Sequence, residues 1–192
     1  MKNSLGLRIC VNDMKYRNRK KNRLQNYDYS QNGMYFVTIC TREKEELFGK
    51  IENGEMNLSE LGKIVEKCYL EIPKHFDNIY LDQYVIMPNH IHGIIEINQV
   101  GNAYMRSLDI DRAKMLLSKV VQGFKATVTR IGNGYDKDNK KERVYAFPTI
   151  WQKSFYDNII RNEISLNKIR EYIINNPKIW DRDRKNIENI WM

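Results

Sequence analysis

Met34-Tyr-Phe-Val-Thr-Ile-Cys40 is a run of β-branched and aromatic residues that follows Asn32-Gly33, and it predicts a strand. Asn53-Gly54, between Ile51 and Asn57, suits the turn of a short hairpin. From Ser59 to about Pro73 the spacing changes. Leu61, Ile64, Val65, Cys68 and Tyr69 recur at helical intervals behind Ser59, whose hydroxyl suits an N-cap. Ile79 to Met87 and His90 to Ile97 read as two strands joined by a tight turn at Pro88-Asn89. Asp109 or Asp111 opens a second helix with an apolar stripe of Leu117, Val120, Val121, Phe124 and Val128. A charged, glycine-containing loop follows over residues 132–143, and Phe147 to Phe155 carries the last strand signal. Glu163 to Asn176 is a third helix, stopped by Pro177. Residues 178–192 are charged, include Trp180 and Trp191, and fit no element.

The order strand, helix, strand, strand, helix, strand predicts an α+β domain of ferredoxin-like (RRM-like) type, an antiparallel sheet with helices packed on one face. The other face is then left for a ligand. Residues 1–30 form a basic N-terminal extension, residues 31–180 a single domain, and residues 181–192 a C-terminal tail. Such a topology serves many functions, so function has to come from particular side chains.

Charge narrows the class of partner. The 192-residue chain carries a formal net charge of +8 and has a pI near 9.3, which favours a polyanion. Arg19, Lys20, Lys21 and Arg23 crowd the N-terminal extension, either as a solvated tail or as an arm that docks on phosphates. No apolar run reaches membrane-spanning length, and the basic start lacks the apolar stretch of a signal peptide. Cys10, Cys40 and Cys68 are odd in number and widely spaced, as in reduced thiols of a cytoplasmic protein.

Two of the three histidines stand in Tyr84-Val-Ile-Met-Pro-Asn-His-Ile-His-Gly93. Residues two apart on a strand share a face, so His90 and His92 project side by side. Neutral imidazoles so placed can ligate a divalent metal, although a bare His-x-His also arises by chance. In the third helix Tyr172 and Asn176 are one turn apart, and Tyr172 lies beside the stripe of Leu166, Ile169 and Ile173. A phenol near a metal can attack phosphorus, and an amide oxygen can serve as a hard ligand. The plainer readings are a half-buried packing tyrosine and a helix-ending asparagine before Pro177.

Gly33-Met-Tyr-Phe-Val-Thr-Ile-Cys-Thr41, Tyr84 to His92, Trp151-Gln-Lys-Ser-Phe-Tyr-Asp157 and Arg170-Glu-Tyr-Ile-Ile-Asn-Asn-Pro177 together resemble the REP-associated tyrosine transposases. These belong to the single-tyrosine HUH transposase superfamily, which also includes insertion-sequence transposases. The resemblance runs from about Arg19 to Trp180 and keeps the order of the motifs. It implies that His90 and His92 are metal ligands, Asn176 the third ligand and Tyr172 the nucleophile. Insertion-sequence relatives often carry glutamine at the position of Asn176, so the shorter amide requires the helix to sit closer to the metal. The implied cofactor is Mg2+ or Mn2+, and the implied reaction is single-stranded DNA cleavage and strand transfer through a 5′-phosphotyrosine intermediate. The implied partner is single-stranded DNA, recognised through hairpin-forming repeats by a monomer or a homodimer. Lys153 and Lys168 join the N-terminal cations as candidate DNA contacts. Trp151, Tyr35 and Phe36 are candidates for base stacking, against the plainer reading of core packing. Lys168, one turn before Tyr172, could steady a phenolate. Tyr156 is the competing nucleophile.

The rival reading is a non-catalytic protein that binds DNA hairpins or RNA. An RRM-type RNA binder would carry a basic-Gly-aromatic-Gly-aromatic stretch, which this chain lacks, and has no use for paired histidines.

Overall fold

A computed structural model of the chain describes residues 31–98, 116–134 and 150–180. The N-terminal extension with Arg19, Lys20, Lys21 and Arg23, the helix start at Asp109 or Asp111, most of the loop at 132–143, and the tail at 181–192 lie outside the described residues.

The elements in chain order are β1 (Gly33–Cys40), a hairpin of β2 (Gly49–Glu52) and β3 (Glu55–Leu58), α1 (Glu60–Leu70), α2 (Ile72–His75), β4 (Ile79–Met87), β5 (His90–Ile97), α3 (Leu116–Gly132), β6 (Tyr156–Ile160) and α4 (Glu163–Asn175). Local chemistry accounts for several boundaries. The Ser59 hydroxyl accepts from Gly62 N–H at the start of α1, and the Asn162 side chain accepts from Ser165 N–H at the start of α4. Asn53 and Gly54 both take positive φ, 54° and 78°, as a tight hairpin turn demands.

A four-stranded antiparallel sheet in the order β4-β5-β1-β6 organises the domain. Thr38 lies opposite His92, and Cys40 opposite His90. The last strand falls later than the residues suggest. Pairing with β1 begins at Tyr156, and Trp151 contributes only an isolated bridge to Thr41. Asp157 and Asn158 are poor strand formers, and the open edge of β1 overrides that preference.

Alternation divides the sheet into two chemically different faces. Tyr35, Val37, Ile39, Ile91, Ile95 and Ile97 point to one side and pack with Leu61, Val65 and Tyr69 of α1 and Leu117, Val121 and Phe124 of α3. The expected helical layer on one face is therefore present. The opposite face carries Phe36, Ile94, His90 and His92, and it is not left open. Leu166 and Ile173 of α4 pack there against Phe36 and Ile94, with Ile169 and Tyr172 beside them. Two fully buried aliphatic side chains stabilise the docking of α4 by roughly 1.5–3 kcal/mol each, a small footing for a helix.

Candidate active site at the paired histidines

β5 carries both histidines to the middle of the sheet, where Thr38 of β1 and Val85 of β4 flank His92. His90 is 2% exposed and His92 1%. The sequence left this face for a ligand; α4 lies over it, with Tyr172 against His92 and Trp180 beyond the helix against His90.

Each ring is held by its Nδ1 atom. His90 Nδ1 lies 2.7 Å from Asn89 Oδ1, and His92 Nδ1 2.8 Å from the Thr38 hydroxyl. An amide oxygen only accepts, so the His90 proton belongs on Nδ1 and its Nε2 keeps a lone pair. Thr38 accommodates either tautomer of His92. If His92 donates Nδ1–H to it, both Nε2 lone pairs converge and suit a cation. If His92 carries Nε2–H, that proton bridges the rings.

The Nε2 atoms are 3.0 Å apart. Two ligands at about 2.1 Å from an octahedral ion are separated by about 3.0 Å along an edge, so the pair has the spacing to share one ion. Burial lowers the His90 pKa to about 3, aided by the nearby positive charge of Lys44. Burial also pulls His92 well below its ordinary value, with His90 adding to the effect. Both rings are therefore neutral near pH 7 and available as metal ligands. Among the described residues, no group of three or more His, Cys, Asp or Glu gathers to hold a metal. A neutral side-chain oxygen on the described residues can add to the pair.

Tyr172 approaches from α4, with its hydroxyl 3.3 Å from His92 Nε2. Its ring packs edge-on to Phe36 at 6.2 Å between centroids, and Phe36 in turn lies 5.2 Å from the His92 ring. Asn176, one turn on, is 1% exposed, and its Nδ2 has no hydrogen-bond partner. A half-turn of the amide would put Oδ1 in that unpaired position. A short 3₁₀ turn, Asn176–Ile179, carries the chain on to Trp180, whose ring lies 5.9 Å from His90 at an interplanar angle of 33°. Tyr172, Asn176 and Trp180 thus form a track at four-residue spacing, with one end on His92 and the other on His90.

The other sequence candidates fall at several places in the fold. Trp151 is buried in the α1–α3 core, packs on Phe48 and Phe124, and donates its indole N–H to the Lys125 carbonyl. That packing leaves it little surface for stacking a base. Tyr35 and Phe36 are likewise core residues, as the plainer reading held. Lys153 is exposed and lines a cavity of about 440 Å3 with Trp151, Lys125 and Arg130, a lining that includes neither histidine. Lys168 is exposed on α4. Tyr156 lies opposite Thr38, on the face of the histidines but across β1 from His92. Two strand spacings put its Cα about 10 Å from that of His92. Sequence reasoning missed Thr38, Asn89 and Trp180 as members of the site. The four-residue spacing was a signal for Trp180, while Asn89 read as a turn residue and Thr38 as an ordinary strand residue.

The back of β5 imposes a further requirement. A Cβ at Gly93 would stand 2.0 Å from the hydroxyl of Tyr69, which is fully buried and has no partner for that hydroxyl. Gly93→Ala is expected to destabilise the fold by about 1–3 kcal/mol through overpacking. Tyr69→Phe alone should be neutral or stabilising, because it removes an unpaired buried hydroxyl. Denaturant titrations of both single variants and the double variant check this. A double variant no more stable than Gly93→Ala would contradict it.

No family model matches the chain. An uncharacterised protein of Haemophilus influenzae is 41% identical over 175 residues, covering 86% of this chain and 92% of that protein. Among solved structures, a REP-associated tyrosine transposase bound to a REP hairpin matches with a TM-score of 0.54. That match is 16% identical and covers 88% of this chain and 75% of the transposase, a likeness of fold. The chain therefore belongs to one family with the Haemophilus influenzae protein and has the fold of a REP-associated tyrosine transposase.

Proposed function

We propose that the protein is a single-tyrosine transposase that cuts and rejoins single-stranded DNA through a covalent bond to Tyr172. The observation that carries this reading is the convergence of three side chains. Tyr172 Oη lies 3.3 Å from His92 Nε2, which lies 3.0 Å from His90 Nε2, and the tyrosine is 80 positions from His92 in the chain. A phenol beside two neutral imidazoles is a poor packing motif and a suitable arrangement for phosphoryl transfer.

His90 and His92 would hold a Mg2+ or Mn2+ ion, with the Asn176 amide as third ligand. When bound, that ion would polarise the scissile phosphate and neutralise charge developing on its oxygens. Asn89 and Thr38 fix the two rings so that Nε2 of each faces inward. Tyr172, held edge-on by Phe36, presents its oxygen to the phosphorus. A bond forms from Oη to phosphorus as the bond to the 3′ oxygen breaks. The phenol proton passes to solvent, and the departing oxygen takes up a proton to become a 3′-hydroxyl. That hydroxyl, or another, can attack the phosphotyrosine in reverse, so strands are joined with no external energy. Phe36 and Trp180 shield the site from bulk water on either side of the histidines.

The solved neighbour was bound to a REP hairpin, and the +8 charge of this chain suits a similar polyanion. Hairpin DNA with a single-stranded flank is expected to bind at least tenfold better than a blunt duplex of equal length, with affinity falling steeply as salt rises. Deleting the first 20 residues should weaken binding and flatten the salt slope. Filter-binding titrations at several salt concentrations check both expectations. Equal affinity for hairpin and duplex would count against this substrate.

A further inference from the structure

We infer that Asp82 and Arg170 are positioning residues for Tyr172, because they pin α4 to the edge strand of the sheet two residues before the tyrosine. The inference rests on the transposase reading only for the role of Tyr172, since the pinning itself is a matter of geometry.

Asp82 stands in an irregularity of β4. Leu81 pairs with Ile95 and Tyr84 with Gly93, so Asp82 and Gln83 together face the single residue Ile94. Such a bulge re-aims a side chain out of the regular ladder. Here the Gln83 backbone N–H donates to Asp82 Oδ1 at 2.6 Å, which fixes the carboxylate. Arg170 meets it with two parallel bonds, Nε to Oδ1 at 2.9 Å and Nη2 to Oδ2. Arg170 Nη1 also donates to Asn167 Oδ1 at 3.2 Å, so the guanidinium is fixed from its own helix as well. The two-point pairing holds the Asp82 carboxyl below its ordinary pKa.

Among the described residues the other ion pairs, Arg42–Glu43 and Lys63–Glu60, join near neighbours in the chain. Arg170–Asp82 joins residues 88 positions apart and links two layers of the fold. A planar fork fixes both the height and the rotation of the helix, which a sliding apolar contact does not. Leu166 and Ile173 bury α4 against Phe36 and Ile94, and Arg170 sets where along the sheet it rests. Tyr172 then falls beside His92. A displacement of about 1 Å at a reacting group can lower a rate by about 100-fold.

The test combines hydrogen exchange with single-stranded hairpin cleavage in the full chain. Asp82→Asn keeps the shape and removes the charge. It is expected to raise amide exchange in residues 163–175 at least tenfold while residues 90–97 stay protected. The kcat for cleavage is expected to fall about 10- to 100-fold, with KM within about twofold. Arg170→Lys keeps the charge and loses the fork, and should fall between Asp82→Asn and wild type. The charge-reversed pair Asp82→Arg with Arg170→Asp should recover most of the protection and the rate. Unchanged exchange in α4, failure of the reversed pair to restore it, or a loss of protection reaching β5 in both single variants would each overturn the inference. A wild-type protein that cuts no DNA, with α4 still loosened selectively by Asp82→Asn, would leave the positioning intact and refute the transposase reading.

Discussion

Tyr172→Phe is expected to abolish cleavage and the covalent protein–DNA complex, lowering turnover by more than about 1,000-fold, the scale of losing a covalent nucleophile. The substitution removes one oxygen, 3.3 Å from His92 Nε2, and keeps the ring that packs edge-on to Phe36. Hairpin affinity should stay within about twofold, and the melting temperature should fall little, because the half-buried ring keeps its packing on Phe36 and its cluster while a long hydrogen bond is lost. A denaturing gel with DNA labelled at its 3′ end checks the adduct. A 5′ label would follow the released strand that ends in a 3′-hydroxyl. An adduct of undiminished yield in Tyr172→Phe would rule out this tyrosine.

His90→Ala and His92→Ala are each expected to remove metal-dependent cleavage, again by more than about 1,000-fold. Here stability should fall as well, by about 1–3 kcal/mol, since each change leaves a space in a buried layer and strips Asn89 or Thr38 of its partner. A face left open for a ligand, as the sequence implied, would carry little such cost; the burial of both rings is what adds it. A readout separate from activity is the shift in melting temperature on adding Mn2+. Wild type should rise with metal concentration and both variants should not. Equal Mn2+ stabilisation of wild type and both variants would place the metal elsewhere.

The bounds of β4 and β5 were legible to the residue, because β-branched content and the Pro88-Asn89 turn mark them, whereas the shift in their register between Leu81 and Tyr84 was not. The core helices were legible for a similar reason: Leu61, Val65, Cys68 and Tyr69, and Leu117, Val120, Val121, Phe124 and Val128, are all buried as their spacing implied. Strand β6 was not, since Asp157 and Asn158 break a five-residue run that is recruited by the edge of β1. The stripe Leu166, Ile169 and Ile173 told that α4 buries a side, and could not tell which face of the sheet receives it. Tyr172 and the two histidines were legible as candidates through their types and spacing. Their supports were less so. Asn89 holds His90 and also donates to the Lys44 carbonyl at 3.2 Å, a link between distant segments that no local pattern records. Asp82 and Arg170 depend on a bulge, and a bulge leaves no mark on hydrophobic alternation.

The most direct measurement of the central claim is the site of covalent attachment. The wild-type protein is incubated with Mn2+ and a single-stranded hairpin labelled at its 3′ end, digested with trypsin and nuclease, and the nucleotide-bearing peptide is sequenced by mass spectrometry. Cleavage after Arg170 and Lys178 isolates Tyr172 in the peptide of residues 171–178, while Tyr156 falls in residues 154–161. The account predicts a phosphonucleotide on the first peptide, dependent on metal and lost in His92→Ala. A nucleotide on the second peptide, or attachment that persists with a chelator present, would contradict it.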